Sequence, residues 1–263
     1  MSVLRSQRRI AKTEYENTFY TLYHLTRKQL EGVPHRRHKW LCPNIINKLN
    51  AAYSDIMLMT DYYAATDSEK NLYYTDASNT IISTLESLQK PMLVMWNIMS
   101  MSMTQMAQWV DLANMEVELL NKYTQRTYKK FYLLDNDAIS KATFVQNMCD
   151  LHKYTHGKVS RAKSQYDDAQ GALLLQGVDN ALYYVCEAQR IYPTSAKTLK
   201  QRRDNLGKAI GNLRSMERPM LSYFYLMSYG DKTMTEWSNM LSYEIRLLTN
   251  VIRSDKERFS HLQ

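Results

Sequence analysis

Apolar side chains recur along this chain in alternating steps of three and four, the interval that sets them on one face of an α-helix. The clearest run is Met106, Trp109, Ala113, Glu116, Leu120 and Tyr123, which has the spacing of an antiparallel bundle seam. Read in this way, the first half of the chain predicts four helices. They span 13–31, with Tyr15, Phe19 and Leu22 on one side; 44–65, following Pro43; 67–100, capped by Asp67 or Ser68; and 105–131. Gly32 and Pro34, in GVPHRR, mark the first loop.

The pattern is written twice. Offset by 128 residues, the segment from Ser87 lies without a gap over the segment from Ser215, matching Pro91 with Pro219, Met106 with Met234, Trp109 with Trp237, Glu116 with Glu244, Leu120 with Leu248 and Phe131 with Phe259. Upstream the offset grows by a residue or two, so that AKTEY at Ala11 lies over SKATF at Ser140, and NAAY at Asn50 over NALY at Asn180. The seam recurs as Met234, Trp237, Leu241, Glu244, Leu248 and Val251. The third helix of the second copy is expected to start after Pro193 with Thr194 as its cap, and Gly230 and Asp231 read as a stop followed by a cap. The expected fold is therefore all-α, two tandem antiparallel four-helix bundles over 1–133 and 134–263, joined near 133–138. Each copy is large enough to bury its own core. Pro91 and Pro219 fall inside helical stretches, where a kink or a break is expected. Gly207 and Gly211 read as points of close helix packing.

Composition narrows the picture in the same direction. Only 7 Gly and 5 Pro in 263 residues is too little turn chemistry for a sandwich, barrel or doubly wound sheet. The mean hydropathy is −0.50 and the most apolar stretch, 91–106, is interrupted by polar residues, so no membrane span is expected. The amino terminus, MSVLRSQRRIAK, has no apolar segment behind its basic residues, and Cys42, Cys149 and Cys186 have no C-x-x-C spacing. A cytoplasmic protein with reduced thiols is expected.

Catalytic and metal chemistry is sparse. No Glu-x-x-His pair of the di-iron type occurs, and there is no phosphate-binding glycine loop or nucleophile elbow. His152 and His156 stand four apart and are able to clasp a metal, yet no H-E-x-x-H motif or cysteine pair accompanies them, so no metal and no cofactor are expected. Glu116 and Glu244 sit on an otherwise apolar seam, where a carboxylate needs a partner; pairing with a nearby Arg, Lys or Tyr is the favoured reading over catalysis. Nothing here argues for an enzyme.

Charge adds the one positive indication. The net charge of +8 suits an anionic partner. The basic residues cluster. Arg5, Arg8, Arg9 and Lys12 lie at the start, Arg36, Arg37 and Lys39 in the first loop, and Arg126, Lys129 and Lys130 at the end of the first copy. Lys200, Arg202 and Arg203 open a helix of the second copy, and Arg253, Lys256 and Arg258 close it. These are the candidate nucleic-acid contacts, with Trp40 and Tyr128 interleaved as base stacking requires. Basic residues at helix C-termini also complement the macrodipole.

MSVLRSQRRIAKTEY, IYPTSAKTLKQRR and above all YEIRLLTNVIRSDKERF resemble the four-helix-bundle accessory proteins of diversity-generating retroelements, of the accessory variability determinant type. Proteins encoded in 23S ribosomal RNA intervening sequences belong to the same bundle family. The resemblance covers the whole chain, here as two tandem copies. It implies a non-catalytic, basic accessory subunit that binds a reverse transcriptase and template RNA or RNA–cDNA, supports mutagenic cDNA synthesis and forms oligomers. The alternative, from the Met and Tyr surfaces, is a phage or bacterial structural or assembly protein that forms helical oligomers without binding nucleic acid.

Overall fold

The computed structural model describes residues 14–62, 66–124, 130–131, 142–161, 165–227 and 229–262, without the side chains of 35–40, 61, 165–167 and 225. Every regular element among them is helical, and none is long and apolar enough to cross a membrane. The chain divides into two compact units, 1–133 and 134–263.

The first unit contains α1 (Glu14–Glu31), α2 (His35–Asp61), α3 (Asp67–Met99) and α4 (Met103–Leu120), which leads into a 3₁₀ turn, Asn121–Tyr123. Cross-helix bonds fix their directions. Tyr15 and Tyr23 of α1 reach Thr60 and Asn50 of α2, in reversed order. Gln29 and Lys122 likewise tie opposite ends of α1 and α4 together, at Gln105 and Glu14. Each helix packs against two others in a closed cycle, with the apolar stripes inward. Phe19, Leu22, Ile45, Leu49, Ile81, Leu85 and Trp109 are fully buried.

The second unit contains α5 (Thr143–Val159), α6 (Gln165–Gln189), α7 (Ala196–Ser215), α8 (Glu217–Met227) and α9 (Asp231–Arg258), followed by a 3₁₀ turn, Ser260–Leu262. The two units are registered by the same device. Trp109 Nε1 of α4 donates to Thr26 Oγ1 of α1 at 2.9 Å, and Trp237 Nε1 of α9 donates to Thr155 Oγ1 of α5 at 3.0 Å. Both indoles are completely buried, so each hydroxyl satisfies a donor that water does not reach.

Several boundaries differ from the sequence pattern. The second helix starts at His35, immediately after Pro34, and carries Pro43 inside it. Arg36, Arg37 and Lys39 therefore open a helix and do not lie in a loop. The caps are Thr66, whose hydroxyl accepts from the Glu69 N–H, and Ser195, in a capping box with Thr198; they stand one residue before Asp67 and one after Thr194. Gly230 is the N-cap residue of α9, and Asp231 is its first helical residue. α4 ends at Leu120 and not near Phe131. Phe131 returns to the helix, its backbone paired with the Asn114 amide and its ring 5.5 Å from Trp109, edge to face. The junction expected near 133–138 lies outside the described residues.

The two seam prolines have different fates, for a local reason. α3 runs through Pro91 without interruption. Proline cannot bond the carbonyl four residues back, and here Lys48 Nζ of α2 lies 3.5 Å from that carbonyl, Ser87 O, and 2.7 Å from Ser87 Oγ. In the second copy the position matching Lys48 is Val178. There the helix stops at Ser215, and α8 begins at Glu217, which places Pro219 in a first turn, where a missing N–H costs nothing. Gly207 and Gly211 have open space where a Cβ would stand, so they are not packing glycines. Gly171 and Gly177 are: a Cβ there would come within 2.6 Å of Val159 and of Met216 respectively.

Two stability outcomes follow. T26V and T155V each strand a buried indole N–H, and each is expected to lower unfolding free energy by about 1–3 kcal/mol in chemical denaturation. K48M removes the donor beside Pro91 and is expected to lower it by about 1 kcal/mol; P91A in the K48M background should restore most of the loss.

Candidate functional site

At one end of the second unit, α6 closes, α7 opens and α9 closes. The element joining them is Arg202. Its Nε donates to Asp255 Oδ2 of α9 at 2.7 Å, and its Nη1 donates to the carbonyls of Ala188 and Ile191 at 2.6 and 3.2 Å, the end of α6. With side-chain exposures of 12% and 10%, Arg202 and Asp255 form a shielded pair. Arg202 is thus engaged inside the protein.

That clamp brings two clusters together that are separated by some fifty residues in sequence. Lys200, Arg253, Lys256 and Arg258 are exposed and Arg203 is half-buried, and all stand within about two turns of the pair on α7 or α9. Lys197, exposed in the first turn of α7, joins them. Exposed carboxylates on the same turns are Asp204 and Glu257, fewer than the cations, so positive charge prevails. An aromatic group lies alongside. Arg258 stacks over Phe259 at 5.3 Å, and Phe259 meets the edge of Tyr192, which is 66% exposed. Cations beside an exposed aromatic ring form a surface able to hold phosphates and stack a base. Tyr192 and Lys197 were not among the sequence candidates, because their relevance depends on the fold of α6 onto α7.

Arg5, Arg8, Arg9, Lys12, Arg126 and Lys129 lie outside the described residues, as do the side chains of Arg36, Arg37 and Lys39. Lys130 pairs with Glu118 at 3.0 Å on an exposed surface, an interaction of small net worth.

Two buried groups stand out in the cores. Glu116 and Glu244 are completely buried, and neither oxygen of either carboxyl has a hydrogen-bond partner among the described residues. The Arg, Lys or Tyr partner expected for them is not found among the described residues. Desolvation raises the Glu116 pKa well above the usual carboxyl range, and raises that of Glu244 to about 8. In the second unit, His152 and His156 of α5 place both Nε2 atoms on one oxygen of Asp179 of α6, at 3.0 and 2.7 Å. Burial lowers the His152 pKa to about 4, so the ring is neutral. The two imidazoles hold the Asp179 carboxyl below its ordinary range against the opposing effect of its own burial. The spacing of the histidines was visible in the sequence, but the carboxylate comes from the next helix. Cys149 is pushed to about 12 by burial and Cys186 is also raised, so both thiols stay protonated.

Comparison of the chain with known proteins gives no match to a family model, a curated protein or a solved structure.

The seam carboxyls give a pH prediction. A group whose folded pKa is raised holds its proton in the folded protein after the unfolded chain has released it, so stability falls as pH rises between the two values. For Glu244 that window runs from the ordinary 4.5 to about 8. E244Q is expected to melt like the wild type near pH 5, and to be more stable at pH 8 by about 2 kcal/mol or more. E116Q should shift in the same direction. Thermal melts across this range provide the check.

Proposed function

We propose that this protein is a non-catalytic accessory subunit that binds RNA through the basic, aromatic end of its second unit and acts beside a reverse transcriptase. The observation that carries the RNA reading is the Arg202–Asp255 clamp, which joins the helix turns that carry Lys197, Lys200 and Arg203 to those that carry Arg253, Lys256 and Arg258, the last stacked on Phe259 beside the exposed Tyr192. Two helical strands of cations at one end offer several phosphate contacts, and an exposed tyrosine offers a stacking face. Two helical units, with four and five α-helices among the described residues, provide the frame. The reverse transcriptase, its template RNA or RNA–cDNA, oligomer formation and a role in mutagenic cDNA synthesis rest on the resemblance of the terminal motifs to the retroelement accessory proteins. A cytoplasmic location accords with those partners.

A structural or assembly role is the second reading. Leu221 and Leu226 of α8 are 48% and 40% exposed, an apolar surface that suits oligomers.

Fluorescence anisotropy with a single-stranded RNA oligonucleotide at low and moderate salt tests the first reading. Wild-type affinity is expected to fall steeply with salt. The triple variant K200E/R253E/K256E should bind weakly at every salt, with a slope of log affinity against log salt shallower by about 2, at about 0.7 per lost contact, while keeping the wild-type far-ultraviolet circular dichroism. Absence of RNA binding at low salt overturns the reading, and a large, salt-insensitive oligomer without RNA affinity favours assembly.

A further inference from the structure

We propose that His152, His156 and Asp179 bind one divalent transition-metal ion per chain, of the zinc or cobalt class. Three donors from two helices converge: both Nε2 atoms and a carboxylate oxygen lie within 4.8 Å of one another, with the oxygen 3.0 and 2.7 Å from the two nitrogens. An ion about 2.0–2.2 Å from each donor at tetrahedral angles needs donor separations of roughly 3.3–3.6 Å, so the Asp179 carboxyl has to withdraw by roughly half an ångström and the two Nε2 atoms, which lie within 4.8 Å of each other, have to take up the same spacing.

Burial of the donors is divided in a useful way. The imidazoles are 0% and 4% exposed and are held in place by the α5–α6 packing, whereas Asp179 is 22% exposed. The imidazoles are therefore held by packing, and the carboxyl is the donor that solvent reaches. Three protein donors leave a fourth position for water. Two imidazoles with one carboxylate select transition ions over magnesium and calcium, which require mostly oxygen donors. In the metal-bound form each imidazole offers its Nε2 lone pair and carries its one proton on Nδ1.

The duplication gives this proposal an internal control. The offsets that align the copies place Tyr23, Arg27 and Leu49 where the second unit has His152, His156 and Asp179. In the first unit the Tyr23 hydroxyl donates to Asn50 Oδ1 at 2.9 Å, and no donor triad of this kind occurs there among the described residues. One ion per chain is expected, not two. The thiols of Cys149 and Cys186 are not in the donor set.

The experiment is a titration of the full chain, stripped with a chelator, with cobalt(II), followed by visible absorption. The expected result is a d–d band that saturates at one equivalent per chain, without thiolate charge-transfer absorption, and that zinc abolishes. Zinc should also raise the melting temperature. D179N should lose the band while keeping the wild-type far-ultraviolet circular dichroism. No saturable band, two equivalents per chain, a strong thiolate band, or an undiminished band in folded D179N each overturns the site. Should D179N fail to fold, the stoichiometry and spectrum of the wild-type protein decide the matter. RNA binding plays no part in this readout, so the result is independent of the proposed function.

Discussion

A buried indole N–H has to be answered inside the protein, and that requirement sets the register of both units. Trp109 on Thr26 and Trp237 on Thr155 each lock the last long helix against the first, at one axial position and in one rotation. Sliding either helix by a residue would separate donor from acceptor with no water to replace the bond. Other cross-helix contacts fall into line with this register: Gln29 with Gln105 and Glu14 with Lys122 in the first unit, Tyr154 with Glu236 in the second. The register also has a cost. Glu116 and Glu244 stand two helical turns beyond the tryptophans on the same face, so the arrangement that satisfies the indoles carries both carboxyls into dry surroundings without a partner.

The two copies agree where the core dictates and differ where it does not. Trp, Thr and Glu recur at matching places with matching burial. The prolines at equivalent sites do not behave alike, because one has a lysine on the facing helix to occupy the freed carbonyl and the other has Val178. The same holds at the middle of the second helix pair, where two histidines and an aspartate replace tyrosine, arginine and leucine. Tyr23 is half-buried and Arg27 exposed in the first copy, whereas both imidazoles are buried in the second. Their presence in only one copy separates that copy's chemistry from the shared scaffold.

Much of the scaffold was legible in the sequence because helical periodicity is local. The seam from Met106 to Tyr123 and its repeat from Met234 to Val251 needed no knowledge of a partner helix, and their central positions are buried, while Tyr123 is exposed and Met234 and Val251 are half-buried. What could not be read depended on what faces a residue across space. Gly207 and Gly211 look like packing glycines until the neighbouring helix is placed; Gly171 and Gly177 have that role instead. Pro43 looks like a helix start because proline favours that position, yet Pro34 provides the start nine residues earlier. Arg202 reads as one more surface cation until α9 brings Asp255 to it. Asp179 has no neighbour in sequence that marks it as the partner of His152 and His156.

Helix α6 links the two features of the second unit. Asp179 lies ten residues before Gln189, about 15 Å along the helix, and the carbonyls just at and beyond the end of α6 are held by Arg202. The same helix is thus fastened in its middle to α5 and at its end, through Arg202 and Asp255, to α7 and α9. A long helix fastened at two points along its axis resists both rotation and sliding. The spacing of the exposed cations depends on α7 and α9 meeting α6 at that end, so the polar contacts inside the unit determine how the charges outside it are presented. Coulombic attraction draws an RNA to any basic surface, but a fixed spacing of charges around a stacking face favours the strand geometry that matches it.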